Sequence, residues 1–314
     1  MKKIELKNDL NILAQLTRRA VIIYYKDKAT VFFSLLGSLI ILLLYVVFLG
    51  DIQSNSITNI FVNAQITPPE KAIKGFIDGW MLSGMLATAC ISVSLSANTI
   101  MARDKERGTE NDLLTSPIKK WIITFSYFLY NFTITIISLT GLMIVAFLFL
   151  ALGGGWYLSF SDVMGIIGTV VLSCLSSTLI TVFICSFLKT EAQVGAVVGL
   201  VSSTLGFFIG AYMPMGMMAK PVQYISSSIP GSHSAGLLKN FFMNSPLEQL
   251  RIDGSLPPQV IDGIKGGYSM ELNMFGKMIG PDIMAVVLAA SVVVFVGLNL
   301  LLSLKMKGNN SKKS

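Results

Sequence analysis

The sequence predicts an all-α membrane protein with six transmembrane helices, an N-terminal interfacial helix, a short charged helix between two spans and half-helices before the last span. Three observations carry this. Hydrophobic residues fill 53% of the 314 positions and charged residues 13%, whereas about a quarter of a soluble domain is charged; mean hydropathy is +0.69. Six apolar runs are long enough, at ~1.5 Å per residue, to cross a ~30 Å hydrocarbon layer. Lys and Arg crowd the segments that six crossings place on one side.

The chain opens on an amphipathic stretch over 1–28. Leu10, Leu13, Leu16, Ala20 (or Val21) and Tyr24 recur at helical spacing, with Asn11, Gln15, Arg18 and Arg19 on the other side, the pattern of a basic helix lying in the membrane interface. Spans are expected at about 29–49, 76–100, 121–150, 162–188, 192–212 and 283–304, forming one domain over 29–304. The first run is too long for a signal-peptide core and lacks a cleavage site, so no secretory signal is expected.

Gly50 and Asp51 end the first span, and Asp51–Gly75, with Pro68 and Pro69, reads as a loop. The second span carries Ser83, Thr88, Ser92, Ser94, Ser96 and Asn98, a polar load that should face protein or a cavity rather than lipid. Gly153–Tyr157 reads as a tight turn with interfacial aromatics. Thr190 is suited to cap the fifth span, whose Gly195, Gly199, Gly206 and Gly210 give two Gly-x-x-x-Gly pairs. The outer region 213–281 starts with the methionines Met213, Met215, Met217 and Met218 and is broken by Pro221, Pro230, Pro257 and Pro258; its apolar pieces are too short to cross. A basic tail, 305–314, follows the last span.

Six crossings put both termini on one side, and 17 of the 24 Lys and Arg residues fall there. That bias places the termini and the Met101–Lys120 block in the cytoplasm. The net charge of +7 therefore reports topology and is no nucleic-acid footprint. Cys174 and Cys185 are ~16 Å apart along one predicted helix and cannot pair; with Cys90 they read as small apolar packing residues.

Met101–Lys120 is the strongest functional signal. Arg103, Asp104, Lys105, Glu106 and Arg107 crowd together, followed by Gly108 and Thr109, the apolar pair Leu113 and Leu114, and Thr115, Ser116 and Pro117. Asp104 or Thr109 can cap a short helix and Pro117 can start the next. Such a helix could dock into a groove of a soluble partner, or the block could be a solvated loop that only holds topology; residue types alone leave both open.

The stretch Arg103–Pro117 resembles the "E-x-E-R-G-T-x-x-x-L-L-x-S-P" motif of type-2 ABC exporter permeases, with Asp104 where the family usually has Glu. Glu106, Arg107, Gly108, Thr109, Leu113, Leu114, Ser116 and Pro117 match it directly. Gly210–Pro214, Pro221–Tyr224 and Ile229-Pro230 are similar, more loosely, to the family's passage from the fifth span into outer half-helices. The resemblance runs from about Leu16 to Leu304.

The resemblance implies a plasma-membrane permease subunit that pairs with a second copy or a close homologue and binds two copies of a cytosolic ABC ATPase. Arg103, Asp104, Glu106, Arg107, Gly108, Thr109, Leu113, Leu114, Ser116 and Pro117 would couple it to the ATPase, with Leu113 and Leu114 as docking knobs. Leu13, Leu16, Arg18 and Arg19 would brace the ATPase from the interfacial helix. The substrate path would be lined by the first, second and fifth spans, with Ser83, Thr88, Ser92, Met213 and Met215 as candidates. The polar face and the adaptable methionines suit an amphiphile such as a drug, antibiotic peptide or lipid-like compound; a glycan is the alternative within the family.

ATP and Mg would be held by the partner. No G-x-x-x-x-G-K-[ST] phosphate loop occurs, the one Gly-Lys pair, Gly276-Lys277, being followed by Met278. An ion-coupled carrier would need ionisable groups inside its spans, and only Asp78 and Asp162 come near, both reading as interface residues. An enzyme is not expected: His233, the single histidine, has no partner motif, and Ser232 and Ser234 beside it carry no mark of a nucleophile.

Overall fold

The computed structural model describes residues 2–63, 65–254 and 256–310, with side chains from 6 to 302. Among them six helices are long and apolar enough to cross a membrane, and one two-stranded hairpin is the sole sheet. The 311–314 part of the expected basic tail lies outside the described residues, as do the side chains of Lys305 and Lys307.

Helix α1 (Lys2–Lys26) buries Leu13, Ala20 and Tyr24, spaced to share one face. Leu10, expected on that face, is 54% exposed. Asp27 accepts from the Thr30 backbone N–H and caps α2 (Lys28–Leu44). Through a π-helical turn at Tyr45–Leu49, α2 runs into α3 (Gly50–Asn63). The Asp51–Gly75 loop expectation is therefore corrected. Gly50 is a helical position, and Gln53, Ile57 and Phe61 are buried, an i, i+4, i+8 stripe masked by the intervening Ser, Asn and Thr residues.

Helix α4 (Glu70–Ala97) begins straight after Pro68 and Pro69 and occupies the centre of the bundle. α7 (Lys120–Gly153), α8 (Phe160–Ser186) and α9 (Glu191–Phe208) pack around it together with α2. α9 ends short of the expected 212. Ser159 and Asp162 form a reciprocal capping box at the start of α8. Thr190 caps α9 through Gln193.

The polar load of α4 is absorbed by protein, as expected. Ser94, Asn131 of α7 and Thr178 and Thr181 of α8 form one buried knot: Asn131 Nδ2 donates to Ser94 O at 2.8 Å, and the Ser94 and Thr181 hydroxyls lie 2.7 Å apart. Cys90, Cys174 and Cys185 are buried free thiols.

The 213–281 region is more helical than its prolines suggest. α10 (Lys220–Ser227) leads into α11 (Pro230–Gly254), and α12 (Pro258–Gly267), β1 (Leu272–Met274) and β2 (Lys277–Ile279) precede α13 (Pro281–Asn310). α11 lies antiparallel against α4. Gly79 faces the Phe242 backbone, and Gly231, at the start of α11, faces Ile91 far down α4. Ser226 and Ser232 both donate to the Phe208 carbonyl. α10 and α11 thus form a re-entrant V whose tip, at Ser228–Pro230, reaches into the bundle, a half-helix arrangement with a second arm 25 residues long.

A Cβ on Gly79 would stand 2.9 Å from the Phe242 carbonyl oxygen, backbone that cannot swing aside. Overpacking at such a contact costs about 1–3 kcal/mol. Gly79→Val should therefore lower the thermal unfolding temperature in detergent; an unchanged temperature would remove the α4–α11 contact from the fold's essential packing.

Candidate functional site

At Asn98 the buried α4 passes into α5 (Thr99–Glu106). Asn98 Nδ2 bonds back to Ser94 O, so the two helices continue each other with one irregular residue between. Arg107 ends α5, and Gly108 adopts φ +76 before α6 (Thr109–Thr115), a left-handed conformation that a glycine takes without steric cost. Glu110 and Asp112 place negative charge in the first turn of α6, where the helix dipole favours it. Ser116 is extended, as a residue before proline should be.

The charges of this block turn mostly inward. Asp104, 4% exposed, receives both Arg19 terminal nitrogens, at 2.9 and 3.2 Å. Arg103 donates to both Glu191 oxygens at 2.8 Å and reaches Asp27 at 3.4 Å. Lys105 Nζ donates to the Ser186 and Leu188 carbonyls at 2.8 and 3.1 Å, closing the end of α8. Glu106 accepts the Glu191 backbone N–H at 2.9 Å, at the first turn of α9. Lys119 is paired with Asp9 of α1. The block therefore clamps α1, α2, α8 and α9 together at one end of the bundle.

Among the expected coupling residues, Glu106, Arg107 and Pro117 are exposed, with Asn111, Asp112 and Thr115 beside them; Arg107 also lies 3.7 Å from Glu191. Leu113 and Leu114 are half-buried and packed on the core instead of standing out as knobs. Ser116 Oγ donates to Leu113 O and Thr109 is half-buried. On α1, Leu13 is buried, Leu16 half-buried and Arg18 exposed. Arg19, expected on the polar face away from the body, is turned onto Asp104. Helical spacing could not show that, because the acid it meets lies 85 residues away.

The path candidates of α4 are enclosed. Ser83, Thr88 and Ser92 are fully buried and donate to the carbonyls of Trp80, Gly84 and Thr88. Met213 is 37% exposed and Met215 is buried. Gly195 and Gly199 of α9 face open space within the protomer.

The sequence did not show that three polar groups are buried. Asp78 is fully buried, one oxygen bonded by the Tyr45 hydroxyl at the π turn and the other unpartnered. His233 is buried inside α11, its Nε2 2.8 Å from Ser227 O. Lys239 is fully buried, with Nζ 3.2 Å from the Ile209 and Gly210 carbonyls at the end of α9; Trp80 Nε1 bonds the same Gly210 carbonyl at 3.1 Å. The signal available for Lys239 was a lone lysine within an otherwise weakly charged helical stretch.

A family model described as "ABC-2 family transporter protein" matches residues 7–301, almost the entire chain. No curated protein matches it.

The Arg19–Asp104 pair is asymmetric, the two side chains being 41% and 5% exposed. Removing Arg19 strands a carboxylate inside protein, a loss of about 3 kcal/mol or more where burial is complete, whereas Arg19 left alone can hydrate. Arg19→Ala should thus destabilise the detergent-solubilised protein more than Asp104→Asn; the reverse order in unfolding midpoints would refute this account of the clamp. The Thr30 backbone N–H, with Arg103, holds the Asp27 carboxyl below the ordinary range. A depressed carboxylate contributes stability above its unfolded pKa of about 3.9 and loses it as pH falls through the folded value. The Asp27 contribution should therefore be flat from about pH 5 to 8, measured as the stability difference between wild type and Asp27→Asn, and vanish only in strong acid.

Proposed function

Because the chain belongs to the ABC-2 transporter family, we propose that it is the permease of an ATP-driven exporter, moving an amphiphilic substrate out of the cell. Membership makes it a multi-pass membrane transport subunit rather than a catalytic one and implies partnership with an ABC ATPase subunit. In the proposed assembly two permeases, identical or closely related, bind two ATPase copies that hold ATP and Mg. The charged end, with both termini, faces the cytosol.

The observation that supports this best is how the α5–α6 block is tied. Through its continuity at Asn98 it is attached to the second span, through Arg103 and Asp27 to the first, and through Arg103, Glu106 and Glu191 to the fifth. These are the three spans proposed to line the path. A push on the exposed face at Glu106, Arg107, Asn111 and Asp112 would move their cytosolic ends together, giving alternating access driven by nucleotide-dependent closure of the partner. Leu113 and Leu114 would serve as the base on which α6 sits, while Leu13, Leu16, Arg18 and Arg19 hold α1 as a brace beside it.

Buried Asp78 and Lys239 favour a second reading, proton-coupled transport without a motor, since ionisable groups inside a membrane protein commonly mark ion pathways. The two readings part in reconstituted vesicles: transport that persists with no ATPase partner supports the carrier and contradicts the exporter.

Glu106→Ala should leave expression, assembly with the ATPase and basal hydrolysis intact. Substrate-stimulated hydrolysis should fall ~5-fold or more, the lower end of usual coupling energies. Stimulation equal to wild type would contradict the coupling assignment.

A further inference from the structure

Under the tip of the re-entrant V, the space between α8 and α9 holds a cavity of about 110 Å³. The N-terminus of α11, at Ile229–Gly231, forms its roof. Hydroxyls line one wall. Ser173 is bonded to Ser234, and Ser176 to Ser291 of α13 at 2.7 Å. Ser177, more than nine-tenths buried, also faces the cavity, and its hydroxyl makes no hydrogen bond among the described residues. Thr181, its hydroxyl bonded to Ser94, also lines the space. The rest is hydrocarbon, chiefly from Ile91, Ile180, Leu205 and Leu288, and among the described residues no ionisable side chain lines it. Ile91, Ile180 and Gly231 are half-exposed, so the cavity opens on the outer wall of the protomer, where lipid would lie.

A hydroxyl facing an apolar cavity without a partner is costly. At this end of α11 Pro230 has no N–H, and the Ile229 and Ser232 N–H groups bond the Ser226 and Ile229 carbonyls, which leaves the Gly231 N–H as the roof's backbone donor. That hydroxyl and this N–H both donate hydrogen bonds, and the helix end adds partial positive charge. The chemistry selects a group rich in acceptor lone pairs, neutral or anionic, and disfavours a cation because no acid is present. A water needs ~10–15 Å³ on this measure, so the cavity has room for about eight water-sized atoms, enough for a head group and the first few carbons of a chain. By pairing with Ile91, the Gly231 roof lies about 18 Å along the helix from Arg103, well inside the apolar zone.

We propose that this cavity binds the acceptor-bearing head of a single-chain amphiphile, a carboxylate or ester, admitted sideways from the membrane between α8 and α9, with Ser177 as its specificity-determining donor. The site belongs to one protomer and needs no second copy. It deepens the exporter reading by giving the substrate class and a lateral route, and as a binding site it stands without the ATPase.

The test uses the full chain in nanodiscs, without nucleotide, and a diazirine-bearing dodecanoic acid as probe. Photolabelling should concentrate on peptides around Ser177 and Gly231. Excess dodecanoic acid should compete, and dodecyltrimethylammonium of equal chain length should not. Ser177→Ala should weaken competition roughly two- to tenfold, the range for one lost hydrogen bond, while Ser177→Thr retains it. Ile180→Trp, which fills the mouth, should abolish the local labelling while the protein stays monodisperse; if that variant does not fold, the Ser177→Ala and Ser177→Thr pair decides. Labelling spread evenly over lipid-facing helices, equal competition by the cation, or indifference to Ser177 would overturn the site. Site-directed labelling combined with no stimulation of the partner ATPase by dodecanoic acid would uphold the cavity and count against exporter use of it.

Discussion

The enclosure of α4 by protein is the constraint on which the rest of the molecule depends. Nearly nine-tenths of its apolar window is buried, against 28% or less for the first, third, fifth and sixth spans. A helix surrounded on every side cannot bend or rotate independently of its neighbours, because close-packed interiors transmit displacement instead of absorbing it. Its serines and threonines follow from this. Enclosed helices must approach closely, and small residues that return their hydroxyls to their own backbone allow that approach without leaving polar groups in lipid.

The ionic clamp extends α4's rigidity to the charged end. Its members are short in reach and charge-assisted: Arg103 grips both Glu191 oxygens, a bidentate geometry that fixes orientation as well as distance. Exposed ion pairs contribute little, but here the acid of one pair is buried and Glu106 and Lys105 satisfy helix-end backbone groups, each of which would otherwise need water. The block is thus part of the scaffold on one face and open to solvent on the other. That division excludes a merely solvated loop, and the proposed docking would use the exposed row at Glu106, Arg107, Asn111 and Asp112.

The six spans were legible because bilayer length and apolar composition demand so little context, and the α5–α6 block was legible from its charge, glycine and proline order. Two of the misses share one physical cause, a partner distant in sequence. Arg19 looked solvent-facing because Asp104 was unknown to it; the burial of Asp78 was hidden because Tyr45 sits on another helix. α3 was missed because serine and asparagine dilute its apolar stripe, although Gln53, Ile57 and Phe61 keep helical spacing. α11 was read as fragments because its apolar residues are interleaved with polar ones, such as Ser232 and Ser234, that protein, not lipid, accommodates.

The opposite ends of α9 draw these features together. At one end Glu191 is held by Arg103 and its N–H by Glu106; at the other, the Ile209 and Gly210 carbonyls are held by Lys239 and Trp80. The negative end of the helix dipole accounts for a buried lysine without a carboxylate: the last carbonyls supply the counter-charge that the side chain would otherwise lack. Since Trp80 belongs to α4 and Lys239 to α11, the same two carbonyls tie the central helix, α9 and the re-entrant arm to one point. α9 is a strut of ~27 Å pinned at both ends. Any displacement at the clamp must therefore be taken up either by loss of the Lys239 contacts or by movement of α11, and movement of α11 shifts the tip that roofs the cavity between α8 and α9.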